Sequence, residues 1–177
     1  MKTLKKILLG LLIVVAVFVV VGLFLPSKYH VERSVVVQAK PATIFPWVNN
    51  LKKWNEWSPW TKEKDPTLVY TFEGPEEGPG AASKWDGKKF GDGSMRITES
   101  SEDKGAKYEL EFNRGKFISS SVIAFEPQGD STQVRWSTDG DVGGNPVNRY
   151  FGLFMGKMIG PDFEEGLAKL KVKVEGK

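Results

Sequence analysis

The 177 residues are 40% hydrophobic and 27% charged, with one histidine and no cysteine. This length suits one domain, and the missing cysteine excludes disulfides, thiolate metal sites and thiol catalysis. The formal charge of +3 comes from Lys2, Lys5 and Lys6; from residue 26 onward acidic and basic residues are equal in number, so no nucleic-acid partner is predicted.

Residues 7–25 form an apolar run of 19 residues without a charge. As a helix rising about 1.5 Å per residue, the run spans about 28 Å, close to the hydrocarbon thickness of a bilayer. It ends at Leu25-Pro26 without a small-residue cleavage pattern and is longer than the apolar part of a signal peptide. We therefore expect an uncleaved membrane anchor; a cleaved signal and a buried core helix are the alternatives.

The charge pattern around this run predicts its orientation. Three lysines precede it, and positive-inside bias then places the N-terminus in the cytoplasm. The expected product is a single-pass membrane protein with an extracytoplasmic domain. Its predicted regions are a basic segment over residues 1–6, a transmembrane anchor over residues 7–25 and a ligand-binding domain over residues 26–177.

The domain begins with a predicted strand and two short helices. Val31–Ala39 is rich in β-branched residues and is followed by Pro41, which can open a helix. Helices are predicted over residues 42–49 and 51–57. Six further strands follow from the alternation of apolar and polar residues, and Gly- and Asp-rich turns between them favour an antiparallel meander. These strands are predicted near residues 68–73, 82–86, 94–99, 106–112, 117–125 and 132–138.

After Asn145 the apolar residues recur at steps of three or four, which predicts one long C-terminal helix. Gly160-Pro161 should bend that helix or divide it in two. Gly152, Gly156 and Gly160 stack on one side, where they either widen a cavity, allow tight packing against the sheet, or form a small-residue seam with another helix.

Three stretches resemble the START and Bet v 1-like (SRPBCC) superfamily, in its polyketide cyclase-like branch. They are residues 51–60 with Asp65-Pro66, residues 80–98 and residues 151–170, and the resemblance extends over residues 28–175. It implies an α+β helix-grip fold, in which a curved antiparallel sheet of about seven strands wraps around the C-terminal helix, here preceded by a transmembrane helix. It also implies a deep apolar cavity for lipids, sterols or polyketides, but no shared catalytic set.

Candidate ligand-binding residues are aromatic or methionine side chains of the sheet and helices, together with one arginine. Indoles suit the mouth of such a cavity because they present an apolar face and one donor, although core or corner packing is the more common role of tryptophan. A strand arginine holds a carboxylate or phosphate if it points inward, and is otherwise solvated. The predicted set is Trp57, Trp60, Tyr70, Trp85, Arg96, Tyr108, Phe151, Met155 and Met158.

No catalytic residue, metal site or cofactor is predicted. His30, the only imidazole, lies at the domain's edge, and Glu109 and Glu111 share the polar side of one strand. The Asp139-x-Asp141 segment lacks the closing glutamate of a calcium loop and is interpreted as a turn.

These features predict a membrane-anchored domain that binds or carries a hydrophobic small molecule or lipid. One alternative is a polyketide cyclase or aromatase-like enzyme in which Arg96 or Tyr108 polarises the substrate. Another is a tethered scaffold filled by its own aromatic side chains. Residues 147–159 are apolar nearly all round, and part of this stretch is expected to contact the membrane surface as a gate to the cavity. The sequence indicates neither a specific ligand nor a protein partner.

Overall fold

The computed structural model describes residues 2–176 and contains three helices and seven strands over that range. The helices are α1 (Lys2–Phe24), α2 (Pro41–Asn49) and α3 (Pro146–Glu175), with a 3₁₀ turn at Lys53–Glu56. The strands are β1 (Lys28–Val37), β2 (Val69–Glu73), β3 (Ala82–Gly87), β4 (Gly91–Ser101), β5 (Gly105–Phe112), β6 (Phe117–Gln128) and β7 (Ser131–Asp141). Met1 and Lys177, which belong to the predicted segments 1–6 and 26–177, lie outside the described residues.

All seven strands pair antiparallel, in the order β1-β7-β6-β5-β4-β3-β2. Strands β2 to β7 follow one another as the predicted meander, and β1 lies at the edge beside β7. Helix α3 packs against β1 and β7, and α2 contacts β4, β5 and β6. This arrangement confirms the α+β helix-grip fold with a preceding apolar helix.

The second predicted helix, over residues 51–57, is only a short 3₁₀ turn. The backbone N–H groups of Trp57 and Ser58 both donate to the carbonyl oxygen of Trp54, which ends the turn. Pro59 follows, and a residue that precedes proline is disfavoured in the helical conformation. The turn therefore positions two tryptophans rather than extending a helix.

Helix α3 runs through Pro161 as one element, so the prediction that it is divided there is wrong. Its start is fixed by Asn145, whose side chain accepts a hydrogen bond from the N–H of Val147 at 2.9 Å, and by Pro146 in the first turn. It ends at Gly176, which has φ of +66° in the left-handed region that glycine tolerates.

The glycine side of α3 faces β1. A Cβ at Gly160 would collide with the guanidinium of Arg33, and Arg33 Nη2 donates to the carbonyl oxygen of Gly156 at 3.3 Å. A Cβ at Gly152 would approach Val142 at 3.4 Å. Tight packing against the first strand is therefore confirmed for Gly160, and the prediction that these glycines widen the cavity is wrong.

The buried core is dominated by aromatic rings. Trp136 on β7 stacks on Phe163 of α3 with ring centroids 4.1 Å apart, and lies edge-on to Trp54 and Trp57 at 5.5 Å. Trp57 and Trp136 are almost fully buried. This cluster joins α3, the 3₁₀ turn and the inner face of the sheet.

Candidate ligand-binding cavity

A cavity of about 440 Å³ lies between α3 and the inner face of the sheet. Its existence confirms the hollow that the sequence predicted, and its walls are mainly aliphatic and aromatic. Helix α3 contributes Phe151, Met155, Ile159 and Phe163, which recur at steps of four along one side of the helix.

The cavity occupies only one end of the sheet's inner face. On β6 the inward-facing residues alternate, and Ser119 and Ser121 line the cavity whereas Ile123 and Phe125, further along the same face, are core residues. The paired strand β5 shows the same division, since Leu110 lines the cavity whereas Tyr108, on the same face, is a core residue. The other end of the inner face is filled by core side chains and covered by α2.

Five of the nine predicted ligand-binding residues line the cavity, and four do not. Those in its wall are Trp60, Tyr70, Trp85, Phe151 and Met155. Those outside it are Trp57, Arg96, Tyr108 and Met158.

Trp57 and Tyr108 point inward but belong to the core. The Trp57 indole N–H donates to the carbonyl oxygen of Trp47 at 3.0 Å, and the Tyr108 hydroxyl donates to that of Val48 at 2.9 Å. Both acceptors belong to α2, so these side chains attach α2 to the rest of the domain. Burial raises the pKa of Tyr108 well above its usual value, which keeps the hydroxyl a neutral donor.

Arg96 and Met158 point away from the cavity. Arg96 alternates with Met95 and Ile97, which face inward, so the pleat directs Arg96 to the outer surface, where it donates to the carbonyl oxygen of Gly80 at 3.3 Å. Met158 is 56% exposed on the outer side of α3. The prediction that they line the cavity is wrong for both.

Serine and threonine hydroxyl groups on the cavity wall were not among the groups predicted from the sequence. Ser121 accepts a hydrogen bond from the Trp136 indole at 3.0 Å and donates to the carbonyl oxygen of Ser137, and Thr138 donates to that of Ser120. The alternation of inward- and outward-facing residues along β6 and β7 could have identified them. Because these hydroxyls are already bonded within the protein, the wall offers a ligand shape and apolar contact more than free polar groups.

Three ionisable side chains line the cavity among the described residues: Tyr29, Tyr70 and Asp141. Burial raises the pKa of Tyr29, and it raises the pKa of Tyr70 to about 12. Asp141 has its pKa lowered, chiefly by the N–H of Gly143 and then by the Ser27 hydroxyl. At neutral pH the wall therefore carries two neutral phenols and one carboxylate that is already hydrogen-bonded.

The exposed polar residues that were weighed as acid–base groups lie outside the cavity. His30 is exposed and contacts Asp139 across the β1–β7 pair, with 2.8 Å between Nδ1 and Oδ1. Glu109 and Glu111 are exposed on β5, as a solvated strand face predicts. Within residues 2–176 no group of three or more metal-ligating side chains occurs.

Asp65 holds together the loops beside Leu68 and Phe90, which line the cavity. Its side chain is buried and accepts hydrogen bonds from the hydroxyl and N–H of Thr67, and from the N–H groups of Lys89 and Phe90. These donors, the Thr67 hydroxyl first, lower the pKa of the Asp65 carboxyl, although burial acts in the opposite direction.

Replacing Asp65 by asparagine is expected to lower the melting temperature at pH 7, and the difference from the parent should shrink below pH 4. A folded-state pKa below the usual 3.8 means that the ionised carboxyl contributes stability above that value, and this is lost as pH falls through the folded-state pKa. Thermal unfolding between pH 2.5 and 7 measures this, with Asp130→Asn in an exposed turn as control. A constant difference across that range would contradict the assignment.

A protein-family model described as polyketide cyclase / dehydrase and lipid transport matches residues 28–175. The chain belongs to this family. The match begins at the first residue of β1 and ends at the last residue of α3, so it includes every wall of the cavity but not α1. No relative among curated proteins matches the chain.

Solved structures share the family's fold at low sequence identity. The crystal structure of Ara h 8.0201 is 13% identical with a TM-score of 0.58, and the match covers 85% of this chain and 99% of that one. A solution NMR structure from Thermobifida fusca is 19% identical with a TM-score of 0.60, covering 82% and 92%. The di-domain ARO/CYC StfQ from the steffimycin biosynthetic pathway is 12% identical with a TM-score of 0.61, covering 84% of this chain and 51% of StfQ. These likenesses show the fold alone.

Proposed function

We propose that this family member is a membrane-anchored domain that binds or carries a hydrophobic small molecule or lipid in the cavity between α3 and the sheet. The cavity carries the proposal. Its volume of about 440 Å³ is within the range of small-molecule sites, roughly 300–1,000 Å³, and its lining is mainly apolar. An apolar interior of this shape favours ligands that partition out of water.

The contacts that the wall leaves unmade support an occupant. The lining is mainly aliphatic and aromatic, and side chains that border a void lack partner atoms on that side. A bound apolar molecule replaces the missing contacts and stabilises the fold by mass action. The open volume also argues against a scaffold filled by its own aromatic side chains.

The cyclase alternative draws on the family description and on the likeness to StfQ, which is described as an ARO/CYC protein. General acid–base catalysis needs a group that exchanges protons near the operating pH. Tyr70, with a pKa of about 12, does not, and Asp141 is held ionised by its hydrogen bonds. Arg96 and Tyr108 do not line the cavity. The wall therefore favours binding over catalysis.

Helix α1 supports the proposed location. Thr3–Phe24 is long and apolar enough to cross a membrane and is almost entirely exposed. In the proposed topology it stays in the membrane with its N-terminus in the cytoplasm, and the domain lies on the extracytoplasmic side. Tethering at the bilayer raises the effective concentration of a ligand that partitions into lipid.

Native mass spectrometry of the full chain, extracted from membranes in a mild detergent, tests the proposal. We expect a non-covalent adduct of lipid or apolar-metabolite mass that dissociates at higher collision energy. Extraction of α1 alone, as residues 1–27 fused to an unrelated soluble domain, controls for lipid that merely adheres to the anchor. An adduct on both proteins, or on neither, would contradict binding in the cavity.

A further inference from the structure

We propose that the first half of α3 lies in the bilayer interface beside the anchor and opens the cavity directly towards the lipid. The inference rests on the proposed retention of α1 in the membrane. It adds an interaction surface that neither the family match nor the fold assigns. Four features of the described residues carry it: an exposed apolar stripe, its contact with α1, its position at the cavity's rim and its charge.

The stripe consists of Val147, Phe151, Phe154 and Met158. Their spacing of four, three and four places them on one line along α3. They are 45%, 57%, 52% and 56% exposed, and Leu153, on the same side of α3 as Tyr150, is 52% exposed. Outside α1, half of the exposed large hydrophobic residues of the described chain lie in this short segment, and such a contiguous patch marks an interaction site.

The stripe is joined to α1 along its neighbouring side. Tyr150 stacks on Phe18 with ring centroids 4.2 Å apart, and its hydroxyl donates to the carbonyl oxygen of Phe18 at 2.8 Å. Pro146 packs against Gly22, where a Cβ would collide with it. These contacts set the first turns of α3 directly beside the last turns of the anchor.

Those contacts fix how far the first turns of α3 reach back along the anchor. Phe18 lies six residues before the end of α1, so at about 1.5 Å per residue Tyr150 reaches roughly 9 Å back along the apolar helix. Interfacial helices bury their apolar face about 5–10 Å into the boundary between headgroups and acyl chains. An anchor that spans the bilayer with Leu25 at its outer end therefore places Tyr150, in the first turns of α3, at the depth such helices occupy.

The cavity opens on the other side of the stripe. At about 100° per residue, the cavity-facing residues Asn148 and Met155 lie on one side of the stripe and the anchor-facing Pro146 and Tyr150 on the other. The glycine side, packed on β1, lies opposite the stripe. Phe151 belongs to both the stripe and the cavity wall, which makes it a rim residue.

The opposite rim is also apolar and exposed. Ile118, at the start of β6, lines the cavity and is 56% exposed, next to Phe117 in the wall. Lys116 precedes them, with Nζ 5.6 Å from the Phe117 ring centroid. The cavity wall therefore includes an aromatic side chain on each side, Phe151 on α3 and Phe117 on β6.

The charges around the stripe fit a lipid surface. Residues 142–161 contain no acidic residue, and the two basic ones are Arg149 and Lys157. Arg149 donates to the carbonyl oxygens of Leu23 and Leu25 at the C-terminal end of α1, so its charge is compensated by backbone dipoles at the expected headgroup level. Lys157 is exposed and free to meet phosphate groups.

The absence of cysteine allows a direct test by single-site labelling. Phe154→Cys and Val172→Cys carry an NBD fluorophore in the full chain, reconstituted in vesicles of phosphatidylcholine and phosphatidylglycerol. The two residues belong to the same helix and are 52% and 51% exposed, but Val172 lies in its other half. Val14→Cys, inside α1, reports insertion of the anchor.

We expect lipids spin-labelled near the headgroup to quench NBD at position 154 at least threefold more than at position 172. Aqueous iodide should show the reverse order, and position 14 should be quenched by lipids labelled deep in the acyl chain. Iodide quenching at 154 equal to that at 172 would overturn the proposal. So would protection from iodide at 154 without quenching by lipid, which indicates a second copy or another protein on the stripe.

The readouts separate this inference from the proposals it rests on. Missing quenching at position 14 overturns the anchor, and the inference with it. Lipid quenching at position 154 in a protein that carries no adduct in mass spectrometry leaves the interfacial placement standing and contradicts the ligand-binding proposal.

Discussion

Replacing Trp136 by alanine is expected to lower the free energy of unfolding by about 3–5 kcal/mol, the usual cost of deleting a large buried aromatic side chain. Trp136 is 2% exposed, stacks on Phe163, contacts Trp54 and Trp57 edge-on, and donates its indole N–H to Ser121. Alanine removes all of these contacts and leaves a void continuous with the cavity, since Trp136 also lines it. Urea unfolding of the full chain in mild detergent, followed by far-ultraviolet circular dichroism, measures the loss.

Trp47→Ala is the matched control because it deletes the same side chain from a half-buried position on α2. It is expected to cost less than half as much as Trp136→Ala. Should Trp136→Ala not fold, Trp136→Phe keeps a ring against Phe163 and is expected to lose about 0.5–3 kcal/mol, the usual range for a destabilising point substitution. Equal losses for the Trp47 and Trp136 variants would show that the aromatic cluster is not the centre of the core.

Replacing Ser119 by phenylalanine is expected to weaken ligand binding at least tenfold, or about 1.4 kcal/mol. Ser119 is 5% exposed and lines the cavity, so a phenyl ring there takes up space that a ligand needs. The melting temperature should change little, because new apolar contacts offset the lost hydroxyl contact with Tyr29. Titration with the neutral apolar fluorophore N-phenyl-1-naphthylamine measures the affinity.

Ser120→Phe is the control, since Ser120 neighbours Ser119 on β6 but is exposed on the opposite face. It should leave the titration unchanged. Equal weakening by both substitutions would indicate a general loss of structure, and no weakening by either would place the fluorophore outside the cavity.

The fold was predictable because its signals are local and repeated. Strand β5 alternates Tyr108 and Leu110 with Glu109 and Glu111, and the structure places the first pair inward and the second outward. The period of a strand decides which face a residue takes, and this also identifies Arg96, between Met95 and Ile97, as outward.

The extent of the cavity was not predictable in the same way. Tyr108 and Leu110 share one face of one strand, yet the first is core and the second lines the cavity. The difference arises because Val48 on α2 accepts the Tyr108 hydroxyl, a contact between residues 60 positions apart. Periodicity carries no information on such contacts, so the sequence indicated a hollow without showing where it ends.

The connection between α1 and β1 limits how far the domain can act. Only residues 25–27 separate the helix from the strand, and three extended residues reach about 11 Å at most. Hydrogen bonds reduce that reach further, because Ser27 accepts from the N–H of Val142 and Leu25 from Arg149. With α1 retained in the membrane as proposed, a linker this short would keep the domain from carrying a ligand across an aqueous gap to a second membrane. In that topology, transport over a longer distance would need a separate diffusible acceptor that receives the ligand at this membrane.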